Sequence, residues 1–225
     1  MADEKREKLP THQSPEGIAI FPYLNTADTK WKTEGEFKVK LSFPTAEAKG
    51  INKIVADQMK VAEEKAKKFA KEQTAKTKKK VEAKAADLPI FEEVDEDGNE
   101  TGNTVASFKS TASGVSKKTG KPWKRTIPLF DAVGNAMRKL VYGGSKLIVA
   151  YSASPWVNPK GEYGVKLQIE AVQVLELVSE GGAQRSSSSF GFQKQDGYVA
   201  SDDQADDDVS DDAGDDEAPA DDDKF

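Results

Sequence analysis

Lys121-Pro122-Trp123-Lys124-Arg125 sets an indole among three cations within five residues. A second aromatic group follows in Tyr151-Ser152-Ala153-Ser154-Pro155-Trp156, with Tyr163 across the expected hairpin and Lys160 and Lys166 flanking the pair. Lys109 and Lys146 add cations on segments that read as strands. This mixture suits single-stranded nucleic acid: cations hold phosphates, and flat rings stack unpaired bases at about 1–3 kcal/mol each. The plainer reading makes the aromatics core or hairpin packing and the lysines solubilising charge. Both readings stand on composition alone. Trp156 favours the first, because Pro155 and Asn158-Pro159 place it in an expected loop with little core to join.

Other chemistry is sparse. There is no cysteine, which removes disulfides, thiol catalysis and cysteine-ligated metals, and His12 is the single histidine. Asp95-Glu96-Asp97-Gly98-Asn99-Glu100 is not a calcium loop, since glycine comes fourth rather than sixth. Gly143-Gly144-Ser145-Lys146 lacks the order of a phosphate-binding loop, and neither a serine elbow nor HExxH occurs. The expectation is a protein with no catalytic residue, no metal and no cofactor.

The elements that must position these residues follow from periodicity. Charged residues make up 32% and hydrophobics 36% of 225 residues, enough for one moderate core. Residues 1–15 read as a flexible lead-in. Gly17 to Asn25 reads as a strand that Pro22 bends or places at an edge. Phe37, Val39, Leu41 and Phe43 alternate with polar residues, the period of a half-buried strand ended by Pro44. Residues 47–86 predict one long helix: Ile51, Ile54, Val55, Met59, Ala62, Ala66, Phe69 and Ala70 form a stripe, with a lysine-rich face opposite that reads as solvated. Strands are expected at 89–94, 104–113, 123–130, 145–153 and 163–178, with a basic turn at 117–121. Six or seven strands with one inserted helix suggest a small antiparallel barrel, mainly β, over residues 16–180. Residues 181–195 read as a Gly/Ser-rich linker. No apolar run approaches the ~20 residues of a membrane span, and the start is not a signal peptide, so a reducing cytoplasm is expected.

Charge is divided along the chain. Residues 196–225 hold fourteen acids and one base, a net of −13, while residues 1–195 hold 25 acids and 32 bases, a net of +7. The total of −6 hides a basic body with an acidic tail. The tail cannot bury enough apolar area to order itself. Three uses fit it: solubility, occupation of the protein's own basic groove, or docking on a partner. Asp221, Asp222, Asp223 and the terminal Phe225 form an acidic tip with one aromatic anchor, suited to an apolar pocket rimmed by bases.

Several blocks resemble the single-stranded DNA-binding proteins of T-seven-type bacteriophages. They are Gly143-Gly144-Ser145-Lys146-Leu147, Tyr151-Ser152-x-x-Pro155 with its aromatic, Val165-Lys166-Leu167-Gln168-Ile169-Glu170, and Leu175-Glu176-Leu177. Gly35-x-Phe37-Lys38-Val39-x-Leu41-x-x-Pro44 before a helix, Gly197-Tyr198-Val199-Ala200-Ser201, and an acidic tail ending in phenylalanine extend the likeness, which is loose across 76–140. The resemblance implies an OB-fold, a five-stranded Greek-key barrel with a helix between strands. It implies coating of single-stranded DNA in replication, recombination and repair within the infected bacterial cytoplasm. It also implies a tail that contacts the phage DNA polymerase and helicase–primase, and a homodimer as an expected state. Trp156 stands where the family has a stacking tyrosine, followed here by Val157-Asn158-Pro159, and Lys146 and Lys166 match its basic strand positions. The rival of another class is an acidic-tailed protein-interaction or histone-like chaperone module.

Overall fold

The computed structural model describes residues 9–78, 80–116 and 119–178. Its strands are β1 (Thr11–Gln13), β2 (Gly17–Asp28), β3 (Glu36–Pro44), β4 (Lys84–Ala85), β5 (Ile90–Val94), β6 (Glu100–Thr111), β7 (Ser113–Val115), β8 (Pro122–Lys124), β9 (Leu129–Phe130), β10 (Lys146–Val157) and β11 (Glu162–Glu176). One helix, α1 (Lys49–Thr77), lies between β3 and β4.

Five long strands close on themselves. β2 pairs with β3, β3 with β6, β6 with β11, β11 with β10, and β10 returns to β2. Each contact is antiparallel except β6 with β11, which run parallel. This is the five-stranded Greek-key circuit of an OB-fold. The parallel seam has one ladder pair, Leu167 with Phe108. Beside it the buried Ser110 hydroxyl donates to the Ile169 carbonyl at 2.9 Å, so a side chain continues the seam where backbone pairing stops.

The alternation in β3 does what its period requires: Phe37, Val39, Leu41 and Phe43 are all buried, while the residues between them face outward. Leu147, Val149 and Tyr151 of β10 meet Val174, Val172 and Ile169 of β11 inside the same core. Ile51 and Val55 of α1 join it. Farther along the helix Ala62, Ala66 and Ala70 are buried, small enough to let α1 lie close against the β10–β11 hairpin.

Several elements depart from the sequence reading. The helix ends at Thr77, not near residue 86, because Lys78 takes a left-handed conformation (φ 56°) and donates its amide to the Thr74 carbonyl. Residues 11–13 are not a loose lead-in: they pair with Gln13↔Ala150 to Thr11↔Ser152 on β10. The strand expected over 123–130 is two short pieces, β8 and β9, that pair with different partners. β10 continues to Val157, so Trp156 is a strand residue, and Pro155 is accommodated within that ladder opposite Val165. The linker and acidic tail, with Asp221, Asp222, Asp223 and Phe225, lie outside the described residues, as do Lys117 and Lys118.

Candidate nucleic-acid interface

The β10–β11 hairpin is shaped by its turn. Asn158 Oδ1 accepts the amides of Lys160 and Glu162 at 2.9 and 3.0 Å. Gly161 has φ +89°, and a Cβ there would sit 2.4 Å from the Glu82 carbonyl oxygen, so only glycine fits. The resulting register puts Trp156 opposite Gly164. The indole lies over that glycine: a Cβ at 164 would meet Cζ2, Cε2 and Nε1 of Trp156 at 2.9, 3.0 and 3.2 Å. With no side chain beneath it, the ring spreads flat across the neighbouring strand.

The β7–β8 hairpin repeats the device. Trp123 pairs with Gly114, and a Cβ on that glycine would meet the same three indole atoms at 2.9, 3.1 and 3.2 Å. Trp123 keeps 39% of its surface exposed, so the ring is seated rather than buried. Two indoles held on glycines are rigid π surfaces that need little further ordering to stack a base.

Cations gather beside them. Lys166 lies two residues from Gly164, on the Trp156 side of β11. Burial pushes its ammonium below the ordinary lysine range; the Glu36 carboxylate opposes this, while Lys32, Arg125 and Lys109 push the same way as burial. These electrostatic contacts bring cations from β6, β11 and the segments before β3 and after β8 into one patch. Arg125 Nη1 donates to Ser110 Oγ at 3.3 Å, which ties the guanidinium to the hydroxyl that closes the barrel seam. Lys38 stands directly opposite Lys109 in the β3–β6 ladder. Such like-charge pairs cost stability. Asp28 offsets part of it, with Oδ2 at 2.5 Å from Lys38 Nζ, and that hydrogen bond is the first cause of the lowered Asp28 pKa. Cations kept this close raise the local positive potential, which attracts anions. Among the described residues no group of three or more His, Cys, Asp or Glu could hold a metal, and no helix is long and apolar enough to cross a membrane.

The family model "Single-stranded DNA-binding protein, Bacteriophage T7" matches residues 17–177. The chain belongs to the bacteriophage T7 single-stranded DNA-binding protein family. The single-stranded DNA-binding protein of Escherichia phage T7 is 34% identical over 131 residues, 56% of this chain and 53% of that protein. The Enterobacteria phage T3 protein of the same description is 31% identical over 160 residues, 68% of this chain and 65% of that protein. The chain thus spans about half of one curated relative and just under two thirds of the other. The crystal structure of gp2.5, a single-stranded DNA-binding protein encoded by bacteriophage T7, superposes with a TM-score of 0.58 at 28% identity, covering 86% of this chain and 100% of that one. The single-stranded DNA-binding protein of bacteriophage Enc34, solved with single-stranded DNA, shares the fold at a TM-score of 0.52 and 13% identity, covering 76% and 89%.

In this T7-type chain the structure brings together Trp156, Trp123, Arg125, Lys109 and Lys166, with Lys124 exposed on the same short strand as Trp123. It separates four other candidates from them. Tyr151 is fully buried in the barrel, its ring 5.3 Å from Phe108 and 5.8 Å from His12, so it is a core residue and not a DNA contact. Among the described residues its hydroxyl has no hydrogen-bond partner, and burial pushes its pKa up to about 12. Lys146 begins β10, ten residues from Trp156, and is paired with Glu16 at 2.8 Å and Glu176 at 3.9 Å, which raise its pKa. Tyr163 pairs with Val157, one position out of step with Trp156 and Gly164. Adjacent pairs point to opposite faces. Tyr163 is therefore on the α1 side, within electrostatic reach of Lys67. Lys160 lines a separate recess with Lys80, Lys84 and Glu162. Sequence reasoning missed Lys32 and Lys38 as members of the patch, and both glycines as seats; the glycines become visible only when the cross-strand register is known.

Proposed function

We propose that this chain binds single-stranded DNA with little sequence preference and without catalysis, in the replication, recombination and repair of phage DNA in the host cytoplasm. The observation that carries this reading is the pair of glycine-seated indoles, Trp156 and Trp123, beside the patch of Lys38, Lys109, Lys166 and Arg125. Phosphates sit on the cations and unpaired bases on the rings, an arrangement that every base can satisfy because every base has a π face. The phage T7 and T3 relatives are single-stranded DNA-binding proteins, which supports the binding part of this reading.

The acidic tail, residues 196–225, competes with DNA for this patch through its net charge of −13. DNA displaces it, and the tip of Asp221, Asp222, Asp223 and Phe225 then recruits the phage DNA polymerase and helicase–primase. A tail that reaches the patch of a second copy gives a homodimer that DNA dissolves.

The test is an oligo-dT titration of the full chain and a chain ending at residue 195, at low and high salt. The shortened chain binds tighter, and the difference narrows as salt screens the tail. Equal affinities at both salts would remove the shielding role. A preference for basic proteins over oligonucleotides would replace the whole reading with a histone-like chaperone.

A further inference from the structure

We propose that the tip of the β2–β3 loop, Lys30-Trp31-Lys32, is a third base-stacking station on the same strand path. The inference rests on the single-stranded DNA reading above and extends it to a residue outside the two seated hairpins. Trp31 is 82% exposed, more than any other aromatic among the described residues. An indole left in water forfeits its burial, and a lysine stands on each side of it in the chain. The Lys30 ammonium lies 5.4 Å from the ring centroid.

The loop is not loose. Asp28 Oδ1 accepts the Lys30 amide at 2.9 Å, and the Gly35 amide donates to the Lys32 carbonyl at 3.0 Å. Gly35 takes φ +71°, with Ala27 and Ala112 close against it, so the turn admits no larger residue there. Two hydrogen bonds join the loop to the β7 side of the neighbouring hairpin: Ala112 N to Gly35 O at 2.9 Å, and Ser113 Oγ to Glu34 O at 2.7 Å. The loop that carries Trp31 is therefore tied to the root of the hairpin that carries Trp123. Lys32 is the electrostatic link, because its charge acts on Lys166 together with those of Arg125 and Lys109. The glutamate it pairs with, Glu36 at 2.7 Å, faces the same lysine.

The occupant is an unpaired base of a strand already held by the patch. Charge selects it: Lys32, Arg125 and Lys109 all act on Lys166, with Glu36 the one carboxylate set among them, and the exposed Trp31 ring beside Lys30 and Lys32 offers a π face. Trp31 then adds length to the site rather than sequence preference.

The chain has three tryptophans, Trp31, Trp123 and Trp156, so each can be isolated by changing the other two to phenylalanine. Each full-length single-tryptophan protein is titrated with oligo-dT long enough to exceed the roughly 4–16 nucleotides an OB-fold covers. The Trp31 emission should be quenched along the same saturation curve as that of Trp156. Trp31→Ala should lower affinity about fivefold or more, Trp31→Phe should restore it, and the melting temperature should stay unchanged. Quenching at Trp156 with none at Trp31 overturns this inference and leaves the single-stranded DNA reading standing. No quenching at any of the three, with no retention of labelled oligo-dT, defeats that reading itself.

Discussion

Gly164→Ala tests the seated-indole idea with a single methyl group. That methyl would lie 2.9 Å from Cζ2 and 3.0 Å from Cε2 of Trp156. Carbon pairs are most stable at about 3.5–4.0 Å, so the ring must retreat by roughly 0.5–1.1 Å at its edge. The side chain tilts rather than the strand, because the indole is the movable partner and Gly164 does not occupy the left-handed region that would exclude alanine. Alanine is also favoured over glycine in a regular element by about 0.5–1 kcal/mol, so the fold should be at least as stable. A tilted ring cannot stack flat, and the loss should approach the ~1–3 kcal/mol of one base, roughly 5- to 150-fold in affinity. The assay is polarisation of a labelled oligo-dT at fixed salt, with thermal melting in parallel. Trp156→Ala should lose a similar amount, and the double variant no more, since the glycine acts only through the ring. Full affinity in Gly164→Ala, or additive losses in the double variant, would refute the reasoning.

Outcomes for three further variants follow from residues placed by the fold. Tyr151→Phe should leave DNA affinity unchanged and raise stability by about 1 kcal/mol in urea unfolding, because it removes a buried hydroxyl that has no partner among the described residues. The same variant should flatten the alkaline limb of stability. The folded-state pKa of about 12 exceeds the ordinary value of 10.0, so the wild type keeps its full stability below pH 10 and loses it as pH rises towards 12. Lys166→Gln should weaken oligo-dT binding and lower the salt slope by about 0.7. Lys146→Gln should change neither, because it stands at the opposite end of β10 from Trp156, beside Glu16 and Glu176; an equal loss in both variants would contradict the placement of the patch.

Local pattern carried far in this chain. Phe37, Val39, Leu41 and Phe43 alternate because neighbouring side chains on a strand point to opposite faces, and all four reach the core. Ile51, Val55, Ala62, Ala66 and Ala70 read as one stripe for the same kind of reason, and all five are buried. Proline misled at Trp156, since Pro155 and Pro159 read as loop markers while the ladder runs on to Val157. The helix end was hidden too: its left-handed cap is a lysine, Lys78, where the usual signal is glycine.

What the sequence determined by itself was the family, the barrel class and the division of charge into a basic body and an acidic tail. Composition and period are properties of the chain before it folds. Strand pairing and barrel closure alone set which aromatics lie on the surface beside cations and which cations meet. Tyr151 and Trp156 belong to one strand, yet one fills the barrel and the other lies on a glycine outside it. Trp156 and Tyr163 belong to one hairpin, yet a single step of register sends them to opposite faces. Closure of the barrel then brings Lys32, Lys109 and Arg125, from distant parts of the chain, within electrostatic reach of Lys166. No local period encodes that meeting, because it depends on strand pairing across long separations.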